Sequence, residues 1–342
     1  MSNALPPLQP SRRTGLVVFF LTLLGFVGVG RLAMEAWLNR PAPRALPEVF
    51  PPGHGPDGPV RPYLQIIIDG LREQAAWADS NPPMPWFQSF ARGGAHGIGI
   101  AGEPTLTAPC VRALLTGRRP DLLTGFRNFN ARPVSGSVIE YLANRGARTA
   151  HGGDAAAFQF CRPFYAPEDV LQFPDRGPTD QGGCDLEAVP FVIDRIADGC
   201  NVVTLHLTFP DHAGHKHGAT GFEYWRACRT VDGQIRRVTE AFLEAHPDAL
   251  VFISADHGVS PMGTHGGGES SAKRAPFGLV GRGVESIEVE LDQCALVPTI
   301  AGVLGLPQPP LADAPPALEL LALSEEAETA ALDAYIAARL QV

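Results

Sequence analysis

The sequence lacks any run of basic residues, and its 36 acidic residues outnumber its 27 basic ones, for a formal net charge of -9. Proteins that bind a nucleic-acid backbone cluster lysine and arginine, so we expect no nucleic-acid partner. The acidity does not exclude a small anionic substrate, because bound divalent cations would dominate the local field. The chain also has no internal repeats.

Closely spaced cysteine pairs are missing as well. The six cysteines have neither the spacing of a zinc ribbon nor that of a redox motif. If the domain is exported, some of them are expected to form disulfides, although sequence does not fix which ones pair. We name Cys161 with Cys184 as one candidate pair.

The first fifty residues form a separate unit. An apolar run from Leu16 to Gly30 continues past Arg31, and residues 15–38 are long enough to span a membrane if Arg31 and Glu35 reach the interface. We predict an uncleaved single-pass anchor, preceded by a tail at 1–14, because no small-x-small cleavage site follows. A cleaved signal peptide is the alternative. In both cases the domain that follows is extracytoplasmic, whether periplasmic, lumenal or extracellular.

A proline-rich linker at 39–61 leads into a region, 62–306, where short apolar runs alternate with helical patterns. Apolar strands separated by helices predict an α/β fold with a mostly parallel sheet covered on both faces. A second proline-rich stretch and a helix at Ala327–Leu340 occupy 307–342. The predicted strands are Tyr63–Ile68, His96–Ala101, Val202–Leu207, Ala249–Ser254 and Phe277–Val280, and the predicted helices of the core are Pro109–Leu115, Ser137–Asn144, Leu186–Ala197, Phe222–Ala245 and Ala295–Leu304.

Carboxylates and imidazoles follow several of these strands, where ligands bind in open α/β sheets. Such oxygen and nitrogen donors suit two divalent ions, zinc foremost or manganese, and both metals activate oxygen nucleophiles. Pro210 and Gly214 favour a loop around the pair Asp211 and His215. The candidate metal ligands are Asp69, Asp211, His215, Asp256, His257 and His265.

Thr107 is the candidate nucleophile. It lies in Pro-Thr-Leu-Thr-Ala-Pro, just before a helical pattern, so we expect it at a helix N-terminus, which favours phosphate oxygens. A threonine hydroxyl is a poor nucleophile near neutral pH, and coordination to a divalent metal would activate it.

Taken together, these motifs resemble the alkaline phosphatase superfamily, in its type I phosphodiesterase and nucleotide pyrophosphatase branch. The sequence is most similar to the catalytic domain of the enzymes that add ethanolamine phosphate to glycosylphosphatidylinositol (GPI) anchors. The segments that carry the resemblance are Asp69–Arg72, Pro104–Thr107, Asp211–Gly218 and Thr264–Gly267. The resemblance implies a three-layer α/β/α sandwich, two divalent metals and a phospho-threonine-type intermediate.

The resemblance also implies a role for each candidate residue. One metal is assigned to Asp69, Thr107, Asp256 and His257, and the other to Asp211, His215 and His265. Asn128 corresponds to an asparagine that contacts a substrate phosphate oxygen.

Several functions remain open at this point. The substrate is a phosphodiester or a phospholipid head group, and the chain either hydrolyses it or transfers a group such as phosphoethanolamine. A nucleotide pyrophosphatase or phosphodiesterase is the main alternative, and a non-enzymatic metal-binding module is a third. A sulfatase is disfavoured, because Thr107 stands where those enzymes have a cysteine that is converted to formylglycine.

Overall fold

A single sheet organises the part of the chain that the computed structural model describes, which is residues 59–125, 133–173 and 182–340. Its strands are β1 (Tyr63–Ile68), β2 (Ala95–Ile100), β3 (Thr149–Asp154), β4 (Val170–Phe173), β5 (Val202–Leu207), β6 (Leu250–Ala255), β7 (Arg274–Val280) and β8 (Glu288–Asp292). They are arranged in the order β4-β3-β5-β1-β6-β7-β2-β8. Strand β7 is antiparallel to both of its neighbours, and the other adjacent pairs are parallel. The predicted mixed α/β fold with a mostly parallel sheet is therefore confirmed.

Helices of very different lengths connect the strands. They are α1 (Glu73–Trp77), α2 (Pro85–Ala91), α3 (Thr107–Thr116), α4 (Leu122–Gly125), α5 (Val138–Asn144), α6 (Ala155–Cys161), α7 (Gly183–Ala197), α8 (Phe209–His217), α9 (Phe222–Ala245), α10 (Ser270–Lys273), α11 (Leu296–Val303) and α12 (Glu325–Leu340). Short 3₁₀ turns occur at Arg162–Phe164, Pro167–Asp169, Gln293–Ala295 and Leu318–Leu320.

The core lies on both faces of the sheet, as strand β1 illustrates. Successive side chains of a strand point to opposite faces. Leu64 and Ile66 belong to a buried cluster with α2, α7 and α9, whereas Tyr63 and Ile67 belong to a second cluster with α3, α5 and α11. A strand covered on both sides reads as a near-continuous apolar run, which is why the sequence predicts β1 and β5 with their observed bounds.

Three strands escape prediction from the sequence because they do not have this apolar pattern. Strand β3 reads Thr-Ala-His-Gly-Gly-Asp and is buried throughout, so its polar residues are accommodated by hydrogen bonds within the core. Strands β4 and β8 form the two edges of the sheet, are short, and are only partly buried. Edge strands need less apolar surface than central ones, so the hydrophobic signal in their sequence is weak.

The segment around Asp211 is a helix, and the predicted loop is therefore wrong. Helix α8 accepts Pro210 because a proline in the first turn lacks an N–H that would have no partner there in any case. Gly214 lies within the helix although its site does not require glycine, because a Cβ there would make ordinary contact with the ring of Tyr224 at 3.6 Å. The carboxylate of Asp185, in α7, accepts hydrogen bonds from Thr208 N and Phe209 N and so caps α8 from outside.

The proposed disulfide between Cys161 and Cys184 does not form. Both thiols are buried without a disulfide, as are those of the other four cysteines. Cys161 packs in the cluster on one face of the sheet and Cys184 in the cluster on the other face, so the sheet separates them. The thiol of Cys161 instead donates to Ser137 Oγ.

Two other predictions fall outside the described residues. They are the anchor at 15–38 and the phosphate contact of Asn128. Within the described residues, no helix is both long enough and apolar enough to cross a membrane.

Two buried aspartates test whether carboxylates from neighbouring helices hold the starts of α8 and α2 in place. Asp185 caps α8, and in the same way Asp232 of α9 accepts hydrogen bonds from Trp86 N and Phe87 N at the start of α2. We expect Asp185→Ala and Asp232→Ala each to lower the free energy of unfolding by about 1–3 kcal/mol, because two buried N–H groups lose their acceptor. Urea denaturation measures the loss.

The corresponding asparagine variants keep one acceptor oxygen and serve as controls with a smaller expected loss. Alanine variants as stable as the wild type would show that these carboxylates do not hold the helices.

Candidate metal centre

The central three strands bring the predicted ligands together. Strand β1 lies between β5 and β6 and is parallel to both, with Ile68 aligned with Leu207 and with Ala255. The residues that directly follow β1 and β6 are Asp69 and Asp256. Asp211 lies in the first turn of α8, four residues beyond β5. All three carboxylates therefore meet at the carboxyl edge of the sheet.

Asp69, Asp256 and His257 form the first group, and each contributes one atom to a common point. His257 Nε2 lies 3.5 Å from Asp69 Oδ1 and 3.4 Å from Asp256 Oδ2. All three atoms are buried and have no hydrogen-bond partner among the described residues. Buried polar atoms without partners are costly. Three such atoms that converge on one point could together bind a cation.

The tautomer of His257 strengthens this argument. Its Nδ1 lies 3.0 Å from the carbonyl oxygen of Gly258, which can only accept a hydrogen bond, so Nδ1 carries the proton. Burial lowers the pKa of His257 well below its ordinary value, so the ring is neutral. Nε2 therefore directs a lone pair at two carboxylates. While both carboxylates are ionised, the arrangement is repulsive without a cation and favourable with one.

Asp211, His215 and His265 form the second group. His215 follows Asp211 by one turn of α8, and its Nε2 lies 3.3 Å from Asp211 Oδ2. His265 Nε2 lies 3.3 Å from Asp211 Oδ1 and 3.0 Å from His215 Nε2. His265 Nδ1 donates to the carbonyl oxygen of Thr105 at 2.7 Å, which directs Nε2 into the group. His215 is the most exposed of the three residues, so this group faces solvent.

The two groups adjoin each other. The rings of His257 and His265 stack with their centroids 4.1 Å apart. Gly70 also joins them: its N–H lies 3.3 Å from Asp256 Oδ1, and a Cβ on this residue would lie 2.7 Å from Asp211 Oδ1. With a φ of +63° and so little space, position 70 requires glycine.

Electrostatics distinguish the carboxylates of the two groups. Burial, followed by repulsion from neighbouring aspartates, raises the pKa of Asp69 well above its ordinary value, and burial raises the pKa of Asp256 to about 8. Burial acts in the same direction on Asp211, but hydrogen bonds and charge from His215 and His265 outweigh it and hold its pKa far below the ordinary value. The first group thus carries the larger unfavourable interaction between carboxylates.

Thr107 is the first residue of helix α3, as predicted, and it faces the first group. Its hydroxyl donates to Asp69 Oδ2 at 3.3 Å. No side chain caps this helix. Thr105 fixes the loop before it by accepting from Gly266 N and donating to the carbonyl oxygen of Gly267. The loop that leads to Thr107 and the loop that carries His265 are thereby joined.

The sequence analysis assigns no role to three residues around the first group. The side chain of Gln293 is fully buried and donates from Nε2 to the carbonyl oxygens of Ala255 and Asp256, which holds the end of β6. His206 and Asp154 lie close to Asp69 beneath the site. Glutamine has no characteristic metal-site spacing, and a histidine within a strand gives no signal of what it faces, so neither could be found from the pattern.

Known structures with a similar fold place the chain in a class. It superposes with a TM-score of 0.56 on a 2-O glycosaminoglycan sulfatase, BT1596, at 14% identity over 77% of this chain and 74% of that one. It superposes on the C-terminal periplasmic domain of EcEptC from Escherichia coli, in complex with Zn, with a TM-score of 0.54 and 15% identity. That match covers 74% of this chain and 85% of that one. It superposes on murine ectonucleotide pyrophosphatase/phosphodiesterase 5 with a TM-score of 0.55 and 13% identity. That match covers 77% of this chain and 100% of that one. The fold is that of alkaline-phosphatase-like proteins.

Sequence comparisons identify the branch. A family model for type I phosphodiesterase / nucleotide pyrophosphatase matches residues 155–269. The chain is 26% identical over 292 residues to GPI ethanolamine phosphate transferase 2 of Schizosaccharomyces pombe, covering 74% of this chain and 38% of that protein. It is 30% identical over 219 residues to the catalytic subunit of human GPI ethanolamine phosphate transferase 3, covering 60% of this chain and 19% of that protein.

The resemblance predicted from the motifs is confirmed: residues 155–269 match the model for type I phosphodiesterase / nucleotide pyrophosphatase, and the chain has GPI ethanolamine phosphate transferases as homologues. The matched part spans less than half the length of these two relatives. Relatives that are transferases and phosphodiesterases support the prediction of an enzyme that acts on phosphoesters. The two ligand groups are candidates for holding metal ions.

The raised carboxylate pKa values predict how the metal-free protein responds to pH. An aspartate whose folded pKa is about 8 stabilises the fold below its unfolded pKa of about 4, and that contribution is lost as pH rises towards 8. Buried histidines with lowered pKa values oppose this trend only up to about pH 6.5. In the presence of a chelator, we therefore expect the free energy of unfolding to fall between pH 6.5 and 8.

The Asp256→Asn variant removes one of these titrations and is the control, for which we expect a shallower slope. Urea denaturation across the pH range measures both slopes. A wild-type slope equal to that of Asp256→Asn, or of opposite sign, would contradict the assignment.

Proposed function

We propose that this chain cleaves phosphodiesters with Thr107 as nucleophile and transfers phosphoethanolamine from a phospholipid head group to an acceptor hydroxyl. One observation carries the proposal above the others. The Thr107 hydroxyl, at the start of a helix, is hydrogen-bonded to a carboxylate of one ligand group while a second ligand group adjoins the first.

The residues present fit two divalent cations. Asp69, Asp256, His257 and the Thr107 oxygen would hold one, and Asp211, His215 and His265 the other. The converging lone pairs of the first group and the two Nε2 atoms of the second are the donor types that zinc prefers. When bound, such ions supply Lewis acidity that lowers the pKa of a hydroxyl and neutralises charge on phosphoryl oxygens.

The reaction at Thr107 balances in two steps. In the first, the Thr107 oxygen bonds to phosphorus, the bond from phosphorus to the glycerol oxygen breaks, and the released diacylglycerol takes up the proton that threonine loses. In the second, the oxygen of an acceptor hydroxyl bonds to phosphorus, the bond from phosphorus to the Thr107 oxygen breaks, and the proton lost by the acceptor returns to Thr107. If water is the acceptor, the same steps amount to hydrolysis.

The surroundings of Thr107 suit this role. Asp69 Oδ2 accepts the hydroxyl proton in a hydrogen bond and so directs the oxygen lone pairs away from the carboxylate. The helix dipole of α3 places partial positive charge beside the oxygen where negative charge develops. Cys110, one turn further on, is fully buried and donates to the carbonyl oxygen of Pro104, so it is not available as an alternative nucleophile.

A nucleotide pyrophosphatase or phosphodiesterase is the second candidate, and the family model that matches residues 155–269 favours it. The same two ligand groups and the same threonine would serve that reaction. The two candidates differ in the group attached to phosphorus. An amino-alcohol head group and a nucleoside therefore separate them experimentally.

Replacement of the nucleophile tests the covalent step. We expect Thr107→Ala to bind divalent metal nearly as well as the wild type and to lose turnover of an activated phosphodiester by several orders of magnitude, because covalent catalysis needs the hydroxyl. Thr107→Ser keeps a hydroxyl and is the matched control, with partial activity expected. Near-normal turnover by Thr107→Ala would remove the covalent mechanism.

Substrate labelling tests the transfer. Membranes containing the protein are incubated with phosphatidylethanolamine labelled in the ethanolamine, and with a labelled nucleotide diester in parallel. We expect label from the lipid to appear on an acceptor in the wild type and not in Thr107→Ala. Label found only as free phosphoethanolamine would indicate hydrolysis, and release from the nucleotide alone would favour the second candidate.

A further inference from the structure

A buried tyrosine is bonded to the turn that directly follows Asp69. Tyr224, in the first turn of α9, is completely buried. Its hydroxyl donates to the carbonyl oxygen of Gly70 at 2.8 Å and accepts from Arg72 N at 2.8 Å. A carbonyl can only accept a hydrogen bond and a backbone N–H can only donate one, so the direction of both bonds is fixed.

The ring of the same tyrosine packs against helix α8. A Cβ on Gly214 would lie 3.6 Å and 3.7 Å from two carbons of the ring. In α8, Gly214 lies between Asp211 and His215, which are ligands of the second group. Tyr224 therefore contacts the turn after a first-group ligand with its hydroxyl and the helix that carries two second-group ligands with its ring.

The turn that the hydroxyl holds lies against both ligand groups. The N–H of Gly70 is 3.3 Å from Asp256 Oδ1 in the first group, and a Cβ on Gly70 would collide with Asp211 in the second. Glycine has no side chain that could anchor the turn, so hydrogen bonds to its backbone have to do so. A displacement of this turn would move Asp69 relative to Asp211.

The protonation of Tyr224 and its remaining contact agree with this role. Burial raises the pKa of Tyr224 well above its ordinary value, so the hydroxyl keeps the proton that it donates to Gly70. The thiol of Cys228, one turn further along α9, is also hydrogen-bonded to this hydroxyl. Because Cys228 belongs to the same helix, that bond does not connect Tyr224 to either ligand group.

We propose that Tyr224 is a positioning residue that sets the spacing between the two ligand groups. The inference rests on the proposed metal centre. Without the hydroxyl, Gly70 O and Arg72 N lose a buried partner, and metal ligands have to be held to within about 0.5 Å. Arg72 Nη1, which donates to the carbonyl oxygen of Ala219 just beyond α8, remains as a tie, so we expect a weakened site and not an abolished one.

Zinc dissociation constants of the full chain, measured by competition with a chromogenic chelator, test the proposal. We expect Tyr224→Phe, which keeps the ring against Gly214, to raise at least one of the two constants by about 10-fold, as removal of a group that supports a metal ligand does. Tyr165→Phe is the matched control, because Tyr165 is also buried but its hydroxyl is hydrogen-bonded to Thr204 Oγ1. We expect it to lower stability in urea while leaving both zinc constants within about twofold of the wild type.

Thermodynamic linkage supplies a second measurement, which needs no variant. If the bonds to Tyr224 favour zinc binding, zinc has to stabilise those bonds by the same factor. Zinc loading should therefore slow amide hydrogen exchange at Arg72 by about 10-fold more than at Phe87, whose N–H donates to Asp232 at the start of α2.

The outcomes separate this inference from the proposed function. Zinc constants of Tyr224→Phe within about twofold of the wild type, an equal weakening in Tyr165→Phe, or equal slowing at the two amides would overturn the inference alone. If Tyr224→Phe does not fold, the exchange measurement on the wild type decides. A wild-type chain that binds no zinc would overturn the proposed metal centre and this inference with it.

Discussion

The convergence of buried lone pairs from Asp69, Asp256 and His257 is the constraint on which the structure of the site depends. Two carboxyl groups and a neutral imidazole nitrogen meet there, and without a cation their mutual repulsion is relieved only by protonation of the carboxyl groups, whose pKa values are raised. A fold tolerates such repulsion only where something else offsets it. The most economical explanation is a cation. The candidate nucleophile Thr107 is hydrogen-bonded to one of these carboxylates, so the cation would be close enough to activate it.

The order of the strands in the sheet produces this convergence. Parallel strands on both sides of β1 bring three chain segments, distant in sequence, to one edge of the sheet. Short-range devices then set the angles: Gly70 allows the carboxylate groups to approach closely, Asp185 fixes the start of α8, and Gln293 holds the backbone at Asp256. The ligands are thus held at the ends of strands, in the first and last turns of α8 and, for His265, in a loop that is hydrogen-bonded to Thr105.

Sequence alone could predict the sheet and the ligand residues because both leave strong patterns. Buried strands such as β1 and β5 read as apolar runs, and the ligands directly follow such runs or lie in distinctive Asp-His-Gly segments. The helix at Asp211 was hidden because proline and glycine disfavour helix interiors. Pro210 lies in the first turn, where proline is accepted, and one interior glycine costs only about 1 kcal/mol. The disulfide between Cys161 and Cys184 failed because spacing along the chain does not reveal that a sheet lies between them.

Contributions that act across the sheet could not be predicted. His206 and Gln293 lie beside residues that are distant in sequence, so nothing in their own sequence neighbourhood indicates what they contact. The most direct measurement for the whole account is anomalous diffraction from crystals grown with zinc. The account predicts two peaks, one among Asp69 Oδ1, Asp256 Oδ2 and His257 Nε2, and the other among Asp211, His215 and His265. Zinc bound elsewhere, with no peak at either group, would contradict it.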